Sequence, residues 1–285
     1  MIVRFQTDSG LPQVGLMDTG QSTRAIPGTL AALLTLSASE VRRTLDAAAS
    51  GPVVSGPMTI LAPIDGETEV WAAGVTYKRS QEARVEESST PDIYTRVYEA
   101  RRPEIFFKAT QRRVAGPDEQ IVVRADSTWD VPEPEVAIVI NAHAEIVGYT
   151  IANDVSSRSI EGDNPLYLPQ AKVYDGSCAL GPGIVPAWEV PDPYALGIRM
   201  RIRRAGNVHW SGETSMREFA RRLDDLVDAL FLEDTFPNGV ILSTGTALVP
   251  DSPFTLEPGD EVEIEIDTLG SLKNTVVRGK AARKL

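Results

Sequence analysis

A short apolar run headed by two glutamates places the strongest constraint on how this chain folds. Residues 136–140 read Val-Ala-Ile-Val-Ile, which is typical of a strand buried on both faces, and Glu133 and Glu135 come directly before them. Side chains two residues apart project from the same face of a strand, so the two carboxylates point together. A second β-rich run, residues 146–152, follows after a short turn and ends next to Asp154. Two adjacent strands can therefore bring three carboxylates to one place.

Three close carboxylates need a counter-charge, because like charges repel and buried charges lose their hydration. A divalent cation is the usual solution, and an all-oxygen ligand set selects a hard ion such as Mg²⁺, Mn²⁺ or Ca²⁺. The alternative is that Glu133 and Glu135 lie on the solvated face of a strand. Residues 261–266 have that simpler pattern, with glutamates alternating with apolar residues, and there we predict a half-exposed strand without a site.

The composition excludes several classes of partner. The chain has 285 residues, and its formal net charge of −12 argues against nucleic acid, whose phosphates require a basic face. No apolar stretch approaches the roughly 20 residues that cross a bilayer, and the N-terminus lacks the layout of a secretion signal. A single cysteine, Cys178, fits a reducing compartment. We therefore expect a cytoplasmic protein that contacts neither nucleic acid nor membrane.

Turn-forming residues along the chain predict two units, a small N-terminal α+β domain at 1–60 and a β-dominated domain at 61–285. The first contains a strand at 2–5 and a helix that begins with the capping pattern Ser37-x-x-Glu40. Two Gly-Pro pairs follow the helix as a connector. In the second unit, apolar residues at the helical period predict one amphipathic helix over 216–230. Its buried face comprises Met216, Phe219, Leu223, Leu226 and Leu230.

An ordered set of short motifs is more specific than any one of them. It comprises Gly74-x-x-Tyr77, Pro103-x-Ile-Phe-Phe-Lys108, Glu133-x-Glu135, Gly148-Tyr-Thr, Asn153-Asp154-Val-Ser, Lys172, Gly181-Pro182 and, near the C-terminus, Ser243-Thr-Gly245-Thr246. This set resembles the fumarylacetoacetate hydrolase superfamily. The resemblance implies an α+β fold, with a mixed β-roll/sandwich catalytic domain at 61–285 and a small N-terminal α+β domain. It also implies a homodimer or homotetramer.

The same resemblance implies that Glu133, Glu135 and Asp154 ligate a divalent metal, with Mg²⁺ as the leading choice and Mn²⁺ or Ca²⁺ as alternatives. Longer segments resemble the 2-keto-3-deoxy-D-arabinonate dehydratases of that superfamily. They are Arg102–Thr110, Pro132–Glu135, Asn164–Gln170 and Thr244–Pro250. This implies a small-molecule 2-keto acid substrate and, in pentose catabolism, dehydration of 2-keto-3-deoxy-D-arabinonate to 2,5-dioxopentanoate.

Two departures from the superfamily bear on the chemistry. Members that hydrolyse C–C bonds carry a water-activating histidine at a position that falls near Ser80 here, and its absence favours elimination over hydrolysis. The two histidines, His143 and His209, lie in predicted turns or hairpins, away from the motifs. Ser159 stands where an aspartate commonly follows the arginine, and this leaves the role of Arg158 in doubt.

Two alternative functions stay open. The first is a C–C bond hydrolase that acts on an acylpyruvate or a diketo sugar acid, which would share the metal but need a water-activating base. The second is a non-catalytic protein that binds a metal and a keto acid. Binding without turnover would distinguish that protein from an enzyme.

Six further residues are candidates for the site. Lys172 is the first catalytic candidate, as an acid, a base or a neutralising charge, against a surface lysine. Glu104 is the second acid or base, against an ion pair with a neighbouring arginine. Lys108 holds the substrate carboxylate or pairs with a metal ligand, against a purely structural ion pair. Thr246 donates to the substrate carboxylate while Gly245 allows a close approach of the backbone, against an ordinary turn. The remaining expectations are a substrate contact or core packing for Tyr77, and a lid or a plain surface helix at 82–90.

Overall fold

The computed structural model describes residues 1–8, 10–80 and 91–284, and the lid expected at 82–90 lies outside these ranges. The strands are β1 Ile2–Thr7, β2 Gln13–Met17, β3 Thr23–Ile26, β4 Met58–Leu61, β5 Glu69–Gly74, β6 Glu104–Thr110, β7 Val114–Ala115, β8 Gln120–Val123, β9 Asp130–Val131, β10 Pro134–Ile140, β11 Ile146–Asp154, β12 Ser156–Ser157, β13 Cys178–Pro186, β14 Gly197–Arg204, β15 Asn207–Ser215, β16 Val240–Ser243, β17 Glu261–Ile266 and β18 Gly270–Arg278. The helices are α1 Leu30–Leu34, α2 Ala38–Ala48, α3 Pro91–Glu99, α4 Arg158–Asp163, α5 Leu168–Lys172 and α6 Leu223–Phe231. Among these helices none is long and apolar enough to span a membrane.

Two sheets pack face to face around the main core. The first has the order β3-β2-β1-β13-β11-β10-β16-β5-β6, with β4 beside β1 and β7 beside β13, and the second has the order β15-β14-β17-β18-β8. Val136 and Ile138 of the first sheet share a core with Met200 and Ile264 of the second. Antiparallel and parallel pairs occur together, since β16 pairs parallel with β5. This mixed architecture confirms the predicted α+β class.

The β10–β11 hairpin forms where the apolar run predicts it. Every residue of β10 is buried, because its side chains enter one hydrophobic core on one face of the sheet and a second core on the other. Strand β11 pairs with one edge of β10 and β16 with the other. Asn141 fastens the turn, and its side-chain oxygen accepts hydrogen bonds from the backbone N–H groups of His143 and Glu145. The register sets Pro134 opposite Asn153, so the start of β10 meets the end of β11. That register brings the acidic motifs to one end of the hairpin.

The glutamates of β17 lie on the solvent side, as their alternation predicts. Val262, Ile264 and Ile266 are buried, while the glutamates between them pair with arginines of β14. Arg201 lies 3.3 Å from Glu263 across the two strands. This second Glu-x-Glu pattern is therefore structural, and its environment is the opposite of that around Glu133 and Glu135.

The N-terminal segment has the predicted elements but is joined to the rest of the molecule. Helix α2 begins after Ser37, whose backbone N–H donates to Glu40 at 3.0 Å, in agreement with the predicted cap. Strand β1 pairs with β13 through Ile2 and Ile184. Leu45 of α2 also lies in a core shared with strands of the large sheet. A division into domains at residue 60 therefore stays a prediction.

The helix predicted over 216–230 is shorter than its apolar period indicates. Helix α6 begins at Leu223, and Met216–Glu218 forms a separate 3₁₀ turn. Between them, Phe219 adopts an extended backbone and pairs with Tyr77. The predicted apolar residues are buried or half-buried all the same, so the prediction was right about the core and wrong about the single helix.

Asp130 on β9 is a buried acid that makes stability depend on pH. Burial raises its pKa to about 6, although Ser127 and Arg278 partly offset this effect. The folded chain therefore binds a proton more tightly than the unfolded chain, and the free energy of unfolding falls as pH rises from about 4 to 6. We expect Asp130→Asn to remove this fall, worth about 3 kcal/mol.

Urea unfolding of the wild type and of Asp130→Asn at pH 4 and pH 7 measures this difference. Asp126→Asn, at an exposed carboxylate paired with Arg124, is the matched control. Equal pH slopes for the wild type and Asp130→Asn would contradict the expectation.

Candidate active site

A small cavity collects most of the predicted site residues. It is bounded by β5, β6, β10 and β11, by α3, α4 and α5, and by the segment after β16. The lining residues are Ala73, Gly74, Val75, Ser80, Tyr94, Glu104, Phe106, Glu133, Glu135, Asp154, Glu161, Leu168, Lys172, Gly245 and Thr246. The cavity thus combines residues more than 170 positions apart in the sequence.

Glu133, Glu135 and Asp154 meet at the end of the β10–β11 hairpin. One carboxylate oxygen from each lies within 4.8 Å of the others, and each residue is only 2% exposed. The backbone N–H of Asp154 donates to the carbonyl of Glu133 at 2.9 Å, which ties the two chain segments together. The structure therefore places these three acids inside the fold, and the alternative of a solvated strand face does not apply to them.

Lys172, at the end of α5, lies between two of these carboxylates. Its ammonium donates to Glu133 Oε2 at 2.7 Å, to Asp154 Oδ2 at 3.0 Å and to Ser156 Oγ at 2.6 Å. The residue is 2% exposed, so the alternative of a surface lysine is wrong. An ammonium has three protons to donate, and here three acceptors receive them. Lys172 is therefore placed to donate to all three of these acceptors.

Lys108 on β6 is the second buried lysine. Its ammonium contacts Asp154 Oδ1 at 2.5 Å and donates to the carbonyls of Val155 and Lys172 at 3.1 and 2.6 Å. It does not line the cavity. This position fits an ion pair with Asp154, whether the pair is purely structural or supports a candidate metal ligand, and it does not favour contact with the substrate carboxylate.

The three acids differ in their electrostatic environment. Burial disfavours the charged form of Asp154, but the ammonium groups of Lys108 and Lys172 outweigh burial and hold its pKa below the ordinary value. Glu135 instead accepts hydrogen bonds from Ser243 Oγ at 2.5 Å and Gly245 N at 2.7 Å, both uncharged donors. Burial, together with the neighbouring acids, raises the pKa of Glu135 to about 8. A cation bound next to Glu135 would therefore stabilise its charged form.

Gly245 and Thr246 lie beside the acids but are engaged with the protein. The N–H of Gly245 binds Glu135, and its backbone has φ +92°, where a side chain would overlap Thr76. The Thr246 hydroxyl accepts a hydrogen bond from Leu248 N at 3.1 Å within its own turn. Thr246 still lines the cavity, so its predicted contact with a substrate stays a prediction.

Tyr77 packs in the core rather than against the cavity. Its side chain has no exposed surface, and its ring meets Phe219 edge-on at 5.3 Å. The hydroxyl donates to the sulfur of Met216 at 2.8 Å. A substrate contact does not fit this position, and the alternative of core packing does.

Glu104 on β6 faces the cavity across from Gly74 on β5. The two residues are paired in neighbouring strands, and a Cβ at position 74 would overlap the Glu104 carboxylate. The glycine therefore creates the space that the acid occupies. This placement agrees with a role for Glu104 in the chemistry, which stays a prediction.

Arg158 is the most important residue that sequence reasoning left in doubt. It is 2% exposed, and its guanidinium lies 3.0 Å from Glu133 Oε1 and 3.1 Å from Glu161 Oε2. Ser159 instead shares a hydrogen bond with Ser127 at 2.9 Å. Glu161, three residues further along α4, thus orients the arginine. The i,i+3 spacing of opposite charges was a signal for this pair.

Both histidines lie away from the cavity. His143 and His209 are exposed, as predicted, and neither belongs to the residues that line the cavity. Ser80 lines it instead and donates to the carbonyl of Tyr77 at 2.8 Å. The described site therefore contains carboxylates and lysines without an imidazole.

Comparison with known proteins assigns the chain to a family. Residues 69–277 match the family described as fumarylacetoacetate (FAA) hydrolase, C-terminal. The chain belongs to the fumarylacetoacetate hydrolase family. A Haloferax volcanii protein named "Probable 2-keto-3-deoxyxylonate dehydratase" is 54% identical over 214 residues, which cover 75% of this chain and 73% of that protein.

Two further proteins similar to this chain are named as dehydratases. The 2-dehydro-3-deoxy-D-arabinonate dehydratase of Saccharolobus solfataricus is 44% identical over 230 residues, covering 79% of this chain and 76% of that protein. A solved structure of 2-keto-3-deoxy-D-arabinonate dehydratase, complexed with magnesium and 2,5-dioxopentanoate, superposes with a TM-score of 0.85. It is 34% identical in sequence and covers 99% of both chains. The predicted family and fold are both confirmed.

Proposed function

We propose that this chain is a magnesium-dependent dehydratase that converts 2-keto-3-deoxy-D-arabinonate to 2,5-dioxopentanoate and water. The observation that carries the proposal is the cavity in which the three buried carboxylates meet the buried Lys172 and a further acid, Glu104. The described lining of this cavity contains no histidine. The names of the relatives support the substrate class, and the magnesium in one of them supports the metal.

The charges around the cavity fit a divalent cation. Five carboxylates line the described part of the cavity, and Lys108, Arg158 and Lys172 contact three of them. Among these carboxylates, Glu135 accepts hydrogen bonds from the uncharged Ser243 Oγ and Gly245 N, so a divalent ion would add positive charge where these two donors supply none. The donor atoms are oxygens, the ligand type that Mg²⁺ prefers over softer metals. Glu133, Glu135 and Asp154 would hold the ion.

The reaction requires removal of a C3 proton and departure of the C4 hydroxyl as water. Tautomerisation then forms the aldehyde, since C5 and its hydroxyl each lose a proton and C3 and C4 each gain one. Magnesium, when bound, supplies a Lewis acid that polarises the 2-keto oxygen and stabilises the negative charge that develops there. Lys172 carries the proton that the leaving C4 hydroxyl needs, because three hydrogen-bond acceptors hold it in the ammonium form. Glu104 lines the same cavity and is the group that accepts the C3 proton.

The polar and apolar parts of the cavity have separate tasks. Phe106 and Leu168 line it beside the acids and exclude water from the reacting carbons. The absence of an imidazole from the described lining removes the usual route to a water nucleophile, so elimination is favoured over hydrolysis.

We further infer a cytoplasmic enzyme that assembles as a homodimer or homotetramer. Light scattering of the purified chain would test the oligomeric state.

The direct test is an assay on purified protein with 2-keto-3-deoxy-D-arabinonate, in which 2,5-dioxopentanoate is followed. We expect the aldehyde to form with Mg²⁺, to stop forming with EDTA and to form again when Mg²⁺ is restored. Pyruvate release from acylpyruvates, without aldehyde formation, would support the C–C hydrolase instead. Saturable binding of the keto acid without any product would support the non-catalytic protein.

Gly74→Ala tests whether the position of Glu104 matters. The new methyl group would displace the Glu104 carboxylate, and we expect kcat to fall by up to about 100-fold while Mg²⁺ affinity is unchanged. Glu104→Gln is the matched comparison, and the double variant should lose no more activity than Glu104→Gln alone. Full activity of Gly74→Ala beside an inactive Glu104→Gln would show that the carboxylate stays in place.

A further inference from the structure

Each of the three candidate metal ligands has one oxygen bound by a fixed partner in the protein. Two of these partners are cationic side chains, and the third is a pair of uncharged donors. Because all three residues are buried, these contacts are protected from solvent. The committed atoms are Glu133 Oε1, bound by Arg158; Asp154 Oδ1, bound by Lys108; and Glu135 Oε2, bound by Ser243 Oγ and Gly245 N.

The other oxygens of Glu133 and Asp154 converge on the ammonium of Lys172, at 2.7 and 3.0 Å. A cation that binds there would share these oxygens with Lys172, because each carboxylate oxygen has two lone pairs. A carboxylate whose first oxygen is held by a fixed partner presents mainly its second oxygen to a metal. Mg²⁺ takes six ligands in a small rigid shell, whereas Ca²⁺ takes six to eight and commonly uses both oxygens of a carboxylate.

We propose that the partners of these carboxylates select Mg²⁺ over Ca²⁺ by limiting each acid to one donor oxygen, and that Arg158 is the positioning residue that does this for Glu133. The inference rests on the proposed metal site. It gives Arg158, Ser243 and Glu161 a role in metal selectivity. Arg158 contacts Glu133, Ser243 contacts Glu135, and Glu161 contacts Arg158.

Arg158 is suited to this task because it cannot move freely. Its guanidinium bridges Glu133 and Glu161, and all three side chains are 2–4% exposed. Arg158 holds one oxygen of Glu133 and Lys172 holds the other, so the two contacts together restrict rotation of this carboxylate. Removal of Arg158 would allow that rotation, and the larger ion would gain the additional ligand atom.

The ratio of two affinities separates this role from simple charge. Loss of a cation near the site raises the attraction for Mg²⁺ and Ca²⁺ alike, since both carry two charges. Freedom of Glu133 to bind through two oxygens favours Ca²⁺ alone. The ratio Kd(Ca²⁺)/Kd(Mg²⁺) therefore reports on the orientation of Glu133 and is insensitive to the loss of the Arg158 charge.

The experiment is calorimetric titration of the metal-stripped full chain with MgCl₂ and, separately, with CaCl₂. We expect Arg158→Gln to lower Kd(Ca²⁺)/Kd(Mg²⁺) by about tenfold, at the lower end of the effect of outer partners on metal sites. Ser243→Ala removes one of two donors to Glu135 and should change the ratio in the same direction by less. Arg199→Gln, at an exposed ion pair with Glu265 and Asp267, is the control and should leave the ratio unchanged.

Circular dichroism establishes that each variant is folded before titration. If Arg158→Gln does not fold, Glu161→Gln replaces it, because the amide keeps the length of the anchor but weakens its hold on Arg158. An unchanged ratio in Ser243→Ala and in the folded arginine-site variant would overturn the selectivity proposal and leave the metal site standing. Absence of Mg²⁺ and Ca²⁺ binding by the wild type would overturn both.

Discussion

Lys172→Ala is expected to lower kcat for dehydration by on the order of 1,000-fold, without weakening Mg²⁺ binding. Lys172 lines the cavity, and its ammonium lies 2.7 Å from Glu133 and 3.0 Å from Asp154. Without it the leaving hydroxyl has no acid. Its removal also takes away a positive charge next to two ligands, so a metal ion is held at least as well. Steady-state kinetics and calorimetry of the same sample measure the two effects.

Two further variants define what Lys172 contributes. Lys172→Arg keeps the positive charge, but a guanidinium does not release its proton near neutral pH, so this variant should also be nearly inactive. Lys273→Ala removes an exposed lysine paired with Glu261 and should leave kcat unchanged. High activity of Lys172→Arg would mean that charge alone suffices, and the role as acid would be wrong.

Glu135→Gln is expected to have the second large effect, on metal binding. Outer partners of metal ligands cost roughly 10- to 100-fold in affinity, and loss of a charged ligand should exceed that. The fold should survive, because the amide oxygen still accepts hydrogen bonds from Ser243 and Gly245. Calorimetry with MgCl₂ should show a loss of more than about 100-fold in affinity, with dehydration falling in parallel.

Asp154→Asn is the comparison that separates metal binding from stability. Asp154 is the counter-charge of both Lys108 and Lys172, so its neutralisation leaves two buried cations short of a partner. Breaking such pairs costs about 3 kcal/mol, and urea unfolding should detect the loss. Glu135→Gln should lack this loss. Mg²⁺ binding by Glu135→Gln at the affinity of the wild type would exclude Glu135 as a ligand.

Local patterns predicted the elements that depend on short-range rules. The apolar run of β10, the alternation in β17 and the cap of α2 all appear in the structure where the sequence indicates them. Periodicity failed at 216–230 because the backbone of Phe219 leaves the helical path to pair with Tyr77. That pairing joins residues 142 positions apart, so no local pattern reports it.

The candidate metal ligands could be found from the sequence because they lie close together in it. Glu133 and Glu135 share a strand face, and one hairpin brings Asp154 to them. Motif resemblance then supplied Lys172 and Glu104, which spacing alone could not place. The partners of the ligands were harder to predict, since Arg158 was in doubt and Ser243 was only part of a motif.

The sequence by itself determined the strands, the acidic hairpin and the family, because period-two burial and ordered motifs are properties of neighbouring residues. The tertiary structure decided which oxygen of each candidate metal ligand is held by a partner in the protein. It also decided that Tyr77 packs in the core and that Lys108 pairs with Asp154. These outcomes depend on distances between segments that the fold brings together. Buried charges must find partners in that fold, and only the packed chain defines which partners lie within reach.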